Sequence, residues 1–121
     1  MPFKSHLELR HRPGDARWEV IQPLLYCTRD GRPIRVPAGY LSDLASVPRI
    51  ARRWVDTQAP TVRRPAVVHD YLYGDQAHRF TKREADRIFY EALLEEGTRP
   101  VVAWLMWQAV RLGGRGAWGK P

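Results

Sequence analysis

The chain reads as an α+β domain, a small N-terminal antiparallel sheet (a β-hairpin at its centre) followed by three packed α-helices. Three observations lead there. β-Branched and aromatic residues concentrate in the first third, a glycine-centred hairpin signal lies between two apolar runs, and capping signals with helical apolar spacing fill the second half.

Taken in order, residues 3–11 alternate weakly, with Phe3, Leu7 and Leu9 offset by polar neighbours, and WEVIQPLLYC at 18–27 has strand composition. Pro23 cannot donate to a ladder, so it predicts an edge or a break inside that run. TRDGRPIRV then sets Asp30-Gly31 between apolar segments, and glycine accepts the positive φ of a tight turn. VPAGYLSDLASVPR at 36–49 reads as an ordered loop around Ser42, Asp43 and Ser46, and residues 50–55 as a short helical turn. Pro65 suits a first helical position, where its missing N–H costs nothing, so a helix is predicted over 65–73 with Gly74 as its stop. Thr81 and Glu84 form a capping box that starts the next helix near Lys82, and Gly97 ends it near Glu96. Its apolar stripe is Ala85, Ile88, Phe89, Ala92 and Leu93. Pro100 opens a third helix stopped by Gly113-Gly114, with Val101, Leu105, Ala109 and Leu112 predicted on its core side and Trp104 and Trp107 sharing another. Residues 115–121 read as a loose tail, so the strand-rich part is 1–48 and the helical part 50–114.

Length and composition narrow the function classes. At 121 residues and 44% hydrophobic content, a single domain over 1–121 with one modest core is expected. No run of 18 apolar residues exists and MPFKSHLELRHR has no apolar signal segment, so no transmembrane segment and no signal peptide are expected. The single cysteine, Cys27, excludes an internal disulfide and fits a reducing compartment or a virion. With 20 Lys and Arg against 13 Asp and Glu, the net charge is +7, spread along the chain without a compact basic tract. Such a surface favours anionic partners in general, an anionic phospholipid surface among them. Nucleic acid is the less favoured partner, because no helix-turn-helix, zinc-finger or aromatic RNA-binding signature accompanies the charge.

The chemistry concentrates in VVHDYLYGDQAHRFTKREADRIFYEALLEEG at 67–97. Asp86 borders the apolar stripe of its helix, where an acid needs a partner. His69 precedes Tyr73 by four residues and shares its face, while Asp70 is rotated by about 100° toward an adjoining space. Two helices joined by so short a loop pack antiparallel, which sets His69 and Tyr73 opposite Asp86. A carboxylate bonded to one ring nitrogen fixes the tautomer and leaves the other nitrogen to take a proton from water, so His69 is the candidate general base with Asp86 and Tyr73 as its support. Asp70, with Asp43 from the loop, is a hard oxygen donor suited to Ca²⁺. Ser42 and Ser46 lack a nucleophile-elbow context and read as caps. A catalytic zinc site draws more often on two or three His or Cys, and His6, His11 and His78 stand in unhelpful contexts.

The pattern His-Asp-x-x-Tyr at 69–73 followed by Ala-Asp-x-x-Phe at 85–89 resembles the catalytic helices of phospholipases A2, above all the disulfide-free kind of parvovirus capsid proteins. The resemblance covers about 21 residues and implies that His69 activates water, Asp70 binds calcium, Asp86 orients His69 and Tyr73 bonds to Asp86. The superfamily's glycine-rich calcium loop has its nearest counterpart in Gly39-Tyr40-Leu41-Ser42-Asp43. Over VPAGYLSDLASVPR, AVVHDYLY, READRIFYEAL and AVRLGG the chain also resembles a family of small phage and prophage proteins catalogued as a domain of unknown function. That second likeness implies a phage origin and groups Asp43 with His69, Asp70 and Asp86. Two functions follow as expectations: a calcium-assisted, phospholipase-A2-like esterase acting on host envelope lipid, or a non-enzymatic virion or tail-assembly component, bound to other phage virion proteins, whose His/Asp cluster is structural.

Overall fold

The computed structural model describes residues 3, 7–11, 14, 18–42, 60–74 and 79–113. These form five short strands and three helices, in the order β1 (Leu9–His11), β2 (Trp18–Val20), β3 (Leu24–Cys27), β4 (Pro33–Val36), β5 (Leu41–Ser42), α1 (Pro60–Tyr73), α2 (Lys82–Glu95) and α3 (Pro100–Gly113). The architecture is α+β, with antiparallel strands first and helices after.

The strands make two sheets, where the sequence suggested one: β1-β2-β5 and the hairpin β3-β4. Pro23 is the cause, since it splits the 18–27 run into β2 and β3, which join different ladders. In the hairpin, Leu24 lies opposite Val36 and Tyr26 opposite Ile34, and all four side chains are buried. Register and burial therefore agree, because a slip by one residue would turn that set outward. Gly31, at φ +88°, donates to the Thr28 carbonyl in the connecting turn. Part of the segment read as a loop is a strand: Leu41 and Ser42 pair with Glu19 and Trp18. A turn with Gly39 at φ +90°, donating to the Val20 carbonyl, returns the chain to that edge. The helical turn read at 50–55, residues 43–49 of that loop and the tail at 115–121 lie outside the described residues.

Helix α1 begins at Pro60, five residues before the predicted start, and Pro65 sits inside it. A proline in a helix interior forgoes one i→i−4 bond and costs about 3 kcal/mol. Buried Val62 shows the offsetting gain, an added turn that packs into the core. Helix α2 behaves as its sequence predicts. Thr81 Oγ1 accepts from the Glu84 amide and Glu84 Oε1 from the Thr81 amide, while Thr98 N donates to Leu93 O past Gly97 at φ +95°. It lies between its neighbours, packing against both α1 and α3, and α1 in turn meets β4 and β5. The shared core takes Val20, Leu24, Tyr26, Ile34 and Val36 from the strands and Val67, Leu72, Phe89, Leu93 and Met106 from the helices. Each fully buried side chain of this size contributes about 1.5–3 kcal/mol of transfer free energy.

Helix α3 differs from expectation in the face it buries. Ala103, Met106 and Val110 point inward, whereas Val101, Trp104, Leu105 and Leu112 are exposed. Nearly every position of α3 is apolar, so periodicity leaves the choice of face open. The stacking of Trp107 on Tyr90 of α2, rings 4.6 Å apart and 15° from parallel, belongs to the face that packs.

Candidate functional site

Asp86 stands among the buried residues of α2, between Ala85 and Ile88. A buried carboxylate is tolerated only when its oxygens are bonded, and three donors converge on this one. His69 Nε2 lies 2.8 Å from Oδ1, the Tyr73 hydroxyl donates to the same oxygen at 2.5 Å, and Lys82 Nζ donates to Oδ2 at 2.8 Å. His69 and Tyr73 arrive from one face of α1 by their four-residue spacing, and antiparallel packing of α1 on α2 supplies the acid. Lys82 reaches Asp86 across one turn of α2 and also donates to the carbonyls of Val110 and Arg111, at 3.3 and 3.1 Å, in the last turn of α3. One ammonium thus ties the acid to the third helix.

The imidazole is packed as well as bonded. Its ring centroid is 4.2 Å from that of Tyr73 and 4.7 Å from that of Phe89, and the side chains of His69 and Asp86 are each 2% exposed. Burial lowers the His69 pKa below its ordinary value of 6.5 against the opposing pull of Asp86, so the ring is neutral near pH 7. Burial alone would raise the Asp86 pKa, but the hydrogen bonds from His69, Lys82 and Tyr73 outweigh it and the net shift is downward. The Tyr73 hydroxyl is pushed far up, first by burial and then by its bond to Asp86, and keeps its proton. With the acid ionised, Nε2 must carry the ring proton to donate it, and the Nδ1 lone pair is left as the basic site. No described residue bonds to that nitrogen.

Of the five residues singled out in the sequence, His69, Asp86 and Tyr73 meet in one cluster. Asp70 is half-buried and engaged in contacts of its own, and its position on α1 is rotated by about 100° from that of His69. Asp43 lies outside the described residues. The strand that leads to it does approach α1: β5 packs on that helix, and Tyr40 meets Tyr71, the neighbour of Asp70, edge-on at 5.3 Å. Among the described residues no three His, Cys, Asp or Glu side chains gather as a metal group. Lys82 is the member of the cluster that sequence reasoning missed. Its signal was the four-residue spacing to Asp86, which on a helix brings opposite charges together.

Among the described residues no helix is long and apolar enough to cross a membrane. None of the curated proteins and none of the solved structures compared with the chain matches it. A family model described as Protein of unknown function (DUF1353) matches residues 18–110, a span holding both sheets except β1, the whole His69–Asp86 cluster and nearly all of α3. By that match the chain belongs to the DUF1353 family.

Proposed function

We propose that the chain is a small hydrolase whose general base is His69, positioned by Asp86 and Tyr73, and that it cleaves the ester of an envelope phospholipid. The observation that carries the reading is the pair of hydrogen bonds to one carboxylate oxygen, from His69 Nε2 at 2.8 Å and the Tyr73 hydroxyl at 2.5 Å. A neutral imidazole with one nitrogen committed to an ionised acid is the arrangement that water activation requires. The lipid part of the reading rests on the likeness of residues 69–89 to phospholipase A2 helices and on the +7 net charge, which favours an anionic surface. In this reading Asp70 and Asp43 would hold a calcium ion that polarises the ester carbonyl. Among the described residues no three His, Cys, Asp or Glu side chains gather around such an ion. The protein would act in a phage context, in the host cytoplasm or carried on the virion. With a ring only 2% exposed, substrate binding must admit the attacking water to Nδ1.

The test is fatty-acid release from mixed phospholipid vesicles with and without calcium. Release that is abolished by His69→Ala, with circular dichroism unchanged, is the expected result. No release above background across vesicle compositions and metals would overturn the proposal. The burial of both partners favours a second reading, in which the cluster only knits α1, α2 and α3 together in a virion or tail component. Asp86→Asn sets an amide N–H₂ against Lys82 or the His69–Tyr73 pair, and costs about 3 kcal/mol under either reading. Only the second predicts stoichiometric copies in purified particles and no lipid turnover.

A further inference from the structure

On the far side of Asp86 from His69, a solvent-open cavity of about 490 Å³ is lined by Lys82, Arg83, Asp86, Trp107 and Arg111. Three cations face one acid there, and that acid is committed: Oδ1 holds His69 and Tyr73, and Oδ2 holds Lys82. The negative end of α3 is likewise covered, because Lys82 bonds to the carbonyls of Val110 and Arg111. Lys82 spends its three donors on these oxygens and gives the cavity charge without a free N–H.

The donors come from the two arginines. Arg83 is exposed and has no ion-pair partner among the described residues; the residues four places before and after it are Arg79 and Arg87, and Arg87 pairs with Glu91. Arg111 gives one bond to Gln108 Oε1 at 3.0 Å and lies over the Trp107 ring at 5.2 Å, which holds its guanidinium at the cavity wall with other N–H groups unspent. Trp107 is itself stacked on Tyr90, which supports that wall. Two forked donors lining one cavity, with a third positive charge at the floor, suit an oxyanion that takes several N–H bonds at once.

We propose that this cavity is a phosphate-binding site, with Arg83 and Arg111 as the direct ligands and Lys82 as an electrostatic floor. The phosphate is either free or carried on a lipid headgroup. The site stands on its own geometry and does not depend on His69 acting as a base.

Backbone amide NMR of the full chain, titrated with sodium phosphate and with sodium chloride at matched ionic strength, tests it. Saturable shifts at Lys82, Arg83 and Arg111 with phosphate, absent with chloride, are expected. Arg83→Ala combined with Arg111→Ala should weaken phosphate binding by roughly tenfold or more. Both side chains are exposed, so the amide spectrum elsewhere should be unchanged. Shifts that match those of chloride in the wild-type chain, or a double variant that binds phosphate as tightly as wild type, would overturn the site. Co-sedimentation with phosphatidylglycerol vesicles separates the two sources. Loss of vesicle binding in the double variant assigns the lipid headgroup, and phosphate binding that is lost while vesicle binding is kept assigns the free ion.

Discussion

At the scale of single residues, Asp86 explains most of what is unusual here. A carboxylate 2% exposed would be costly in an apolar helix interface, and three donors make it tolerable. The same bonds make stability depend on pH. His69 has a folded pKa below 6.5, so its contribution is complete above that value and is lost as acid protonates the unfolded chain first. Asp86 also has a depressed folded pKa, so its contribution is present above 3.8 and falls away below it. Both terms carry the same sign, because in each window the unfolded chain binds more protons. Urea melts from neutral pH downward should show stability declining from about pH 6.5, by at most about 1.4 kcal/mol per pH unit for the one histidine. In His69→Gln this first decline should be much reduced. Identical pH profiles for the two proteins would contradict a buried neutral imidazole.

Among the elements, α2 is the organiser, since it lies between α1 and α3 and carries Asp86 on one face and Lys82 at its start. Its limits were legible because capping is local chemistry: Thr81, Glu84 and Gly97 act on backbone groups within a turn of themselves. Thr81→Ala should cost about 1 kcal/mol. Because α2 is packed on both sides, the loss should appear as a shift of the whole unfolding transition, and a change confined to amide exchange in the first turn would show that α2 frays independently. Elements decided by tertiary packing were less legible. Nothing local distinguishes Pro60 from Pro65 as a helix start, and the burial of Val62 in the core decides it. Similarly, α3 is apolar on most sides, and the position of Tyr90 on α2 selects the face with Met106 and Trp107.

For the whole molecule, the order of strands and helices followed from composition and periodicity, whereas the division into two sheets depended on how far Pro23 separates β2 from β3. The site was legible as three residues, His69, Tyr73 and Asp86, because helical spacing and a short connection restrict how two helices meet. Lys82 was harder to see, since half of its role is to cap α3, a helix whose approach no local pattern encodes. Three helices thus meet at one buried carboxylate that also fixes an imidazole. The state of that ring tests this arrangement most directly, read from the ¹⁵N chemical shifts and ring couplings of His69 by NMR at neutral pH. A neutral ring protonated at Nε2, changing to the other tautomer or to mixed states in Asp86→Asn, is the predicted result. A ring protonated at Nδ1, or a charged imidazolium at neutral pH, would contradict it.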